Sequence, residues 1–157
     1  MTTLSADVAP TDFAVFRVHP TRWMDDDVYG HLNNVVYYSL FDSAVNGWLI
    51  KASGVDIRTL PSIGVVAETA CRYFSESAFP DVLHIGIGLE HRGRSSVIYR
   101  LATFREETGG QLSQTPSAVC RFVHVYVDKE SRRPVPIPDR IAAALDTLGE
   151  GEPHGAD

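Results

Sequence analysis

The sequence has few cysteines, no long apolar run and no excess of positive charge. Its two cysteines, Cys71 and Cys120, have no histidine or second cysteine nearby at a spacing typical of metal ligands. No segment reaches the roughly 18 to 20 apolar residues that span a bilayer, and the N-terminus lacks the basic and apolar stretches of a signal peptide. We therefore expect no metal site, no membrane partner, free thiols and a cytoplasmic protein.

The negative charge of the chain restricts its partners further. The 20 Asp and Glu residues outnumber the 14 Lys and Arg residues, giving a formal net charge of −6, which disfavours binding to nucleic acid. A phosphorylated ligand would therefore need a local basic cluster. The length of 157 residues fits one domain, which we predict at residues 13–148, between a disordered lead-in at 1–12 and a disordered tail at 149–157.

Hydrophobic periodicity predicts one long helix and a β-rich remainder. Apolar residues recur at helical spacing from Val35 to Lys51, and Asn33 or Asn34 is a suitable N-cap. Further patterns predict strands and a short final helix, at residues 13–23, 63–74, 82–91, 95–106 and 117–128 for the strands and 139–148 for the helix. The short connections between the last four strands predict that they pair consecutively as an antiparallel meander.

A helix that is apolar around most of its surface must be enclosed by other structure. The pattern therefore predicts an α+β fold in which one curved antiparallel sheet wraps around a long central helix. The edges and outer face of a single sheet are often covered by a second copy of the chain. A homodimer or homotetramer is the expected assembly.

The polar loop before the long helix combines features of a catalytic site. Three consecutive acids, Asp25, Asp26 and Asp27, precede a helix start, where free N–H groups favour developing negative charge. A carbonyl oxygen bound there would be polarised as in an oxyanion hole, and an upstream Asp could supply a nucleophile or a general base. Gly30 would let the backbone turn closely around a ligand. A solvated loop with a helix cap is the alternative interpretation.

This loop and the helix after it resemble the signature of hotdog-fold thioesterases of the 4-hydroxybenzoyl-CoA thioesterase family. Residues 22–37 read RWMDDDVYGHLNNVVY, and the family pattern is an aromatic residue, then Asp-x-Asp-x-x-Gly-His-x-Asn-Asn, then a helix. The two patterned acids fall on Asp25 and Asp27. The similarity extends over about residues 13–145, including the VPIP run before the final helix. It implies a hotdog fold and hydrolysis of an acyl-CoA substrate to free acid and CoA, without a cofactor.

The resemblance also implies a role for each residue of the motif. Asp27 would act as nucleophile or as general base on water, and the backbone N–H of Asn34 would polarise the thioester carbonyl. His31, the third catalytic candidate, and Asn33 would shape the pocket and orient water or Asp27. Asp25 would organise the loop through hydrogen bonds to backbone N–H groups.

The remaining substrate-binding candidates, besides Gly30 and Asn33, lie in the helix and in a hairpin turn. Tyr37 could line an acyl pocket or pack in the core. The turn around Gly93 forms a local basic cluster suited to phosphates, with the residues Arg92, Arg94, Ser95 and Ser96. The resemblance implies that the CoA part of the substrate contacts this hairpin, and an ordinary charged turn is the alternative.

Two other functions are compatible with the sequence. A hotdog hydratase or dehydratase acting on an acyl-CoA would need a histidine paired with an acid, for which His31 is the candidate. A noncatalytic protein that binds acyl thioesters would need no catalytic acid. The sequence has no Gly-x-Ser-x-Gly motif, so a serine hydrolase is not expected. The acyl group, and the choice between CoA and carrier-protein thioesters, are not indicated.

Overall fold

One curved sheet and one long helix form the body of the protein. The computed structural model describes residues 4–149. In chain order the elements are β1 (Val15–Pro20), α1 (Asn34–Ser53), β2 (Ser62–Tyr73), β3 (Val82–Arg92), β4 (Ser96–Arg105), β5 (Ala118–Asp128) and α2 (Asp139–Asp146). The predicted α+β architecture is confirmed.

The strand order β1-β3-β4-β5-β2 corrects part of the predicted topology. Strands β3, β4 and β5 pair consecutively as predicted, but β2 pairs with β5 and not with β3. The connection at residues 74–81 crosses one end of the sheet, where the Phe74 N–H donates to Ser117 O (2.8 Å) and Arg105 donates to Glu76 O (2.5 Å). An extended connection of this length spans ~26 Å, more than the ~14 Å of three steps between strands. Its short length therefore did not require β2 and β3 to be neighbours.

Helix α1 lies on the concave face of the sheet because most of its surface is apolar. Its buried residues are Tyr37, Phe41, Ala44, Val45, Trp48, Leu49 and Ser53. The helix ends at Gly54, whose φ of 71° is the left-handed conformation that glycine adopts without strain. Helix α2 packs beside the C-terminal end of α1, where Arg140 donates to Ser53 O (3.2 Å). The packing thus leaves the start of α1 at the opposite end of the sheet from α2.

The outer face of the sheet is covered by part of the segment that was predicted as a disordered lead-in. Val8 and Phe13 are buried against Ala102, Phe104 and Val119. These apolar side chains on β4 and β5 need cover from water, which explains why residues 4–12 pack there. Residues 1–3 and 150–157 lie outside the described residues, so most of the predicted tail does too.

Strand β5 places a histidine in the core. His124 is 2% exposed, and burial lowers the pKa of its imidazole to about 4. Among residues 4–149, no group bonds to its Nδ1 atom. The imidazole is therefore held neutral in the folded protein at pH 7.

The His124 pKa predicts a loss of stability in weak acid. An unfolded histidine has its ordinary pKa of 6.5, so between pH 6.5 and about 4 the unfolded state binds more protons than the folded state. We expect the free energy of unfolding to fall by about 3 kcal/mol across this window on account of His124. Urea unfolding from pH 7 to 4 should show this fall in the wild type, and a smaller one in His124→Phe. Parallel pH profiles of the two proteins would contradict the prediction.

Candidate active site

Asp25 fixes the start of the polar loop at residues 25–34. Its carboxylate is buried (3% exposed), accepts a hydrogen bond from the Arg22 N–H (2.8 Å) and pairs with the Arg22 guanidinium (2.9 Å). Burial opposes ionisation, but the hydrogen bonds and charge of Arg22 outweigh it and lower the pKa of Asp25. The Asp25 carbonyl also accepts from the Asn33 N–H (2.9 Å). Asp25 therefore ties the beginning of the loop to its end.

Asp27 lies in a tight turn beside the helix start. Its N–H donates to His31 O (2.8 Å), and its carbonyl accepts from the Gly30 N–H (3.1 Å). Gly30 has a φ of 80°, a conformation that favours glycine. The Asp27 Oδ1 atom accepts from the Tyr29 N–H (2.9 Å). The turn therefore orients one carboxylate oxygen through the backbone and leaves the half-exposed carboxylate beside the loop surface.

The start of α1 presents one backbone N–H without a partner. The Asn33 side chain caps the helix by accepting from the Val35 N–H (3.0 Å), and the Asn33 carbonyl accepts from the Val36 N–H (2.9 Å). Asn34, the first helical residue, has no preceding helical carbonyl to bond. Within residues 4–149, its N–H makes no hydrogen bond, while its side chain accepts one from the Tyr73 hydroxyl. The Asn34 amide is thus available to an acceptor on a ligand.

The connection at residues 74–81 is hydrogen-bonded to the loop of residues 25–34. The Leu32 N–H donates to Ser77 O (2.7 Å), and the Phe79 N–H donates to the Asp26 carboxylate (3.0 Å). Asp26 and Leu32 also form an isolated antiparallel bridge, which places residues 25–27 alongside residues 31–33. The correct strand order therefore matters for the site, because the crossing connection is what anchors this loop.

The side chain of His31 pairs with an acid from outside the loop. Its Nε2 atom lies 3.0 Å from Glu76 Oε2, and the two side chains are 43% and 73% exposed. Exposure to water keeps such a pair weak. His31 therefore forms a surface pair at the rim of the loop.

Tyr37 packs below the helix start, in the core. Its side chain is 4% exposed, and its ring lies 5.1 Å from that of Tyr73 and 6.4 Å from that of Phe41, measured between centroids. Tyr73 in turn bonds to the Asn34 side chain. The aromatic pair therefore supports the first turn of α1.

The basic hairpin lies at the opposite end of the sheet from the loop of residues 25–34. Arg92 pairs with Asp146 Oδ1 (2.6 Å) and donates to Ala142 O (3.3 Å) on α2. This end of the sheet adjoins the C-terminus of α1, about 30 Å along the helix from Asn34. One chain therefore does not bring together the catalytic candidates and the hairpin residues Arg92, Arg94, Ser95 and Ser96.

Two residues of the loop's surroundings were not identified from the sequence. Tyr73 contacts Asn34 from the end of β2, and Glu76 contacts His31 from the crossing connection. Neither belongs to the motif, and the predicted meander placed the end of β2 elsewhere. Both residues reach the loop because residues 74–81 cross the end of the sheet, and the sequence did not indicate this crossing.

Exposed apolar side chains surround the loop. Trp23, Val28, Tyr29 and Val35 are each more than two-thirds exposed. Trp23 packs edge-on against Phe79, with ring centroids 5.8 Å apart. A rim of this kind marks a surface that is suited to contact a ligand or another chain.

Candidate metal ligands and membrane spans are both lacking in the described part of the chain. Among residues 4–149, no group of three or more His, Cys, Asp or Glu side chains is arranged to hold a metal ion. No helix in the same range is long and apolar enough to cross a membrane.

Comparison with known proteins relates the chain to thioesterases. The family profile of the thioesterase-like superfamily matches residues 21–145, which include the loop and, apart from β1 and the last residue of α2, every helix and strand named above. The crystal structure of the PA5185 protein from Pseudomonas aeruginosa strain PAO1 is 43% identical, with a TM-score of 0.83 over 90% of this chain and 95% of that one. No match is found among curated proteins.

Two more distant structures share the fold. A mutant of 4-hydroxybenzoyl CoA thioesterase complexed with 4-hydroxybenzoyl CoA is 15% identical, with a TM-score of 0.72 over 83% of this chain and 97% of that one. The SAV2348 protein from Staphylococcus aureus, in complex with CoA, is 14% identical, with a TM-score of 0.74 over 90% and 87%. The predicted hotdog fold is confirmed by these likenesses.

Proposed function

Because the chain belongs to the thioesterase-like superfamily, we propose that it is an acyl-CoA thioesterase that cleaves its substrate at the loop of residues 25–34. The observation that carries the proposal is the unpaired N–H of Asn34 at the start of α1, with Asp27 in the turn that precedes it. Hydrolysis of a thioester requires few groups beyond such a donor and a carboxylate, because the thioester carbonyl is weakly stabilised by resonance and a thiolate is a fair leaving group.

The Asn34 amide and the dipole of α1 would stabilise the charge that develops on the substrate. The thioester oxygen accepts a hydrogen bond from the Asn34 N–H, and the negative charge of the tetrahedral intermediate forms at this atom. As general base, Asp27 removes a proton from water while the water oxygen bonds to the carbonyl carbon. The carbon–sulfur bond then breaks, the thiolate takes up a proton, and free acid and CoA leave. As nucleophile, Asp27 would instead form an anhydride that water hydrolyses.

The other loop residues have supporting roles in this proposal. Asn33 holds the helix start through its cap, so its side chain is occupied by the Val35 N–H. Gly30 gives the turn its conformation, and His31 lies at the rim with Glu76. Tyr37 supports the first helical turn from the core, where it is 4% exposed. Coenzyme A is part of the substrate, and the mechanism uses no cofactor.

The position of the basic hairpin adds a requirement for a second chain. A CoA group bound at the loop could contact Arg92 or Arg94 only if the hairpin came from another copy. Strand β2 is an edge strand, and Val66, Tyr73 and Phe74 on or beside it are exposed apolar residues. We therefore propose a homodimer or homotetramer in which one chain supplies the loop and another supplies the hairpin. The two free cysteines agree with the cytoplasmic location that we also propose.

Arg92→Ala tests the role of the hairpin. We expect the KM for CoA thioesters to rise several-fold, with little change for truncated pantetheine thioesters, because only the former carry the nucleotide phosphates. Asp146→Ala is the matched control, since it breaks the same ion pair but keeps the cation. Steady-state kinetics of both variants with both substrates give the answer. Equal effects on the two substrates would mean that the hairpin does not hold the nucleotide.

The His31–Glu76 pair favours one second candidate, a hydratase acting on an acyl-CoA. Such an enzyme needs a histidine next to an acid, and these two side chains provide it. Incubation with an enoyl-CoA separates the functions, because hydration removes the double bond and leaves the thioester intact. Thiol release from saturated acyl-CoAs supports the thioesterase, whereas binding of acyl-CoAs without either reaction would indicate a noncatalytic protein.

A further inference from the structure

The two cysteines of the chain lie directly opposite each other on neighbouring strands. In the antiparallel pairing of β2 with β5, Cys71 is the partner of Cys120. Residues that are paired in this way point their side chains to the same face of the sheet. That face is the concave one, because Cys120 is buried in the core that contains α1 and Cys71 packs against that core. The fold therefore brings two free thiols together on one face of the sheet.

The hydrogen-bond pattern identifies the kind of cross-strand pair that the cysteines form. Three positions further along the same register, the Phe74 N–H donates to Ser117 O (2.8 Å). Hydrogen-bonded and non-hydrogen-bonded pairs alternate along antiparallel strands, so Cys71 and Cys120 form a non-hydrogen-bonded pair. The Cα atoms of such a pair are about 4.5 Å apart, within the roughly 4.4 to 6.8 Å that a disulfide spans. The backbone therefore already has the spacing that a disulfide requires.

The two thiols differ in their access to solvent. Cys71 is half-buried, whereas Cys120 is 0% exposed. The titratable groups around Cys71 are Tyr37 on α1, Tyr73 on β2 and Cys120 on β5. Burial raises the pKa of the Cys71 thiol to about 11, and a hydrogen bond to Tyr73 acts in the opposite direction. An oxidant from solution therefore meets Cys71 first, and it reacts slowly at neutral pH because little thiolate is present.

We propose that Cys71 and Cys120 are a site of reversible oxidation, at which a peroxide converts the two thiols into one disulfide. The Cys71 thiolate attacks hydrogen peroxide, one oxygen atom forms a sulfenic acid on Cys71, and the other leaves as hydroxide. The Cys120 sulfur then bonds to the Cys71 sulfur, and the hydroxyl group of the sulfenic acid leaves with the Cys120 proton as water. The two sulfur atoms give up two electrons in total, which reduce the peroxide to water. A small thiol reduces the disulfide again by exchange.

The position of Cys120 makes the oxidation reversible. A sulfenic acid that no thiol captures is oxidised further to a sulfinic acid, which small thiols do not reduce. Cys120 is the direct cross-strand neighbour of Cys71, so it captures the sulfenic acid before a second peroxide reacts. The site uses none of the residues 25–34, and it is therefore independent of the proposed thioesterase reaction.

Hydrogen peroxide tests the proposal on the full, folded chain. The reaction is run at about pH 9, where about 1% of Cys71 is thiolate. Free thiols are counted after unfolding, and mass spectrometry measures the change in mass. Both thiols should disappear together with the loss of two hydrogen atoms per chain, and peptide mapping should find the bond between Cys71 and Cys120. Dithiothreitol should restore both thiols.

Two variants separate the roles of the two cysteines. In Cys120→Ala, the same treatment should add two oxygen atoms to Cys71 that dithiothreitol does not remove. In Cys71→Ala, Cys120 should keep its thiol because it is fully buried. Circular dichroism shows that each variant is folded.

Four results would overturn the proposal. The wild-type protein would keep both thiols, form its disulfide between two chains, or accumulate a sulfinic acid on Cys71. The fourth result is loss of the Cys120 thiol in Cys71→Ala as fast as in the wild type. Each result concerns thiol content alone, so it does not depend on whether the protein hydrolyses thioesters.

Discussion

Asp27→Asn should reduce thioester turnover by about 10²- to 10⁴-fold. The amide is neutral, so it neither attacks the thioester nor takes a proton from water. The fold of the loop should persist, because the asparagine Oδ1 atom can still accept from the Tyr29 N–H that Asp27 binds at 2.9 Å. Thiol-release kinetics and thermal unfolding, measured on the same preparation, give the effect on turnover and on stability.

The neighbouring acid provides the matched control for this variant. Asp26 accepts from the Phe79 N–H (3.0 Å), and Asp26→Asn likewise preserves an acceptor in the same loop while removing one negative charge. We expect Asp26→Asn to retain most of the activity. Equal losses in the two variants would assign the effect to the charge of the loop, and unchanged turnover in Asp27→Asn would remove Asp27 from the mechanism.

Asn34→Pro should reduce turnover by about 10²- to 10³-fold, the effect of deleting one oxyanion-hole donor. Proline has no N–H and is well accepted at the first position of a helix. The residue before it must be extended, and Asn33 already has φ −62° and ψ 139°. The substitution therefore removes the proposed donor with little strain on α1. Turnover by thiol release and helix content by circular dichroism measure the two effects.

Asn34→Ala is the control that keeps the backbone N–H. It removes the side chain that bonds to Tyr73, so it reports any effect of that contact alone. We expect Asn34→Ala to keep most of the turnover that Asn34→Pro loses. Similar losses in both variants would show that the Asn34 side chain, and not its amide, carries the function.

The helix and the loop that precedes it could be predicted because their signals are local. The predicted helix from Val35 to Lys51 lies within the observed Asn34–Ser53, and Asn33 caps it. Its apolar surface also predicts that a sheet encloses it. A cap, a loop glycine and a helical period each depend on residues close together in sequence, so one sequence contains them.

The position of β2 could not be predicted because strand pairing depends on distant contacts. A connection at residues 74–81 is short enough for a hairpin and long enough to cross the sheet end, and only the packed structure selects the second route. The neighbours that this route brings to the loop, Tyr73 and Glu76, were missed for the same reason. The separation of the hairpin from the loop within one chain could not be predicted either, since a resemblance to a family does not specify which copy of the chain supplies a residue.

The burial of His124 had no signal in the sequence either. His124 and Gly64 are 60 positions apart and come together through the pairing of β2 with β5, in which Gly64 lies opposite Tyr126. The spacing of the histidines gave no pattern, because the burial of a nitrogen without a partner is a property of packing.

Thiol release from a panel of short-chain, long-chain and aryl acyl-CoAs tests the proposed reaction most directly. The wild-type protein should release CoA with turnover from at least one class, and Asp27→Asn should lose that turnover while still binding the same acyl-CoA. No thiol release from any class by the folded wild-type protein, with or without acyl-CoA binding, would contradict hydrolysis at the loop of residues 25–34.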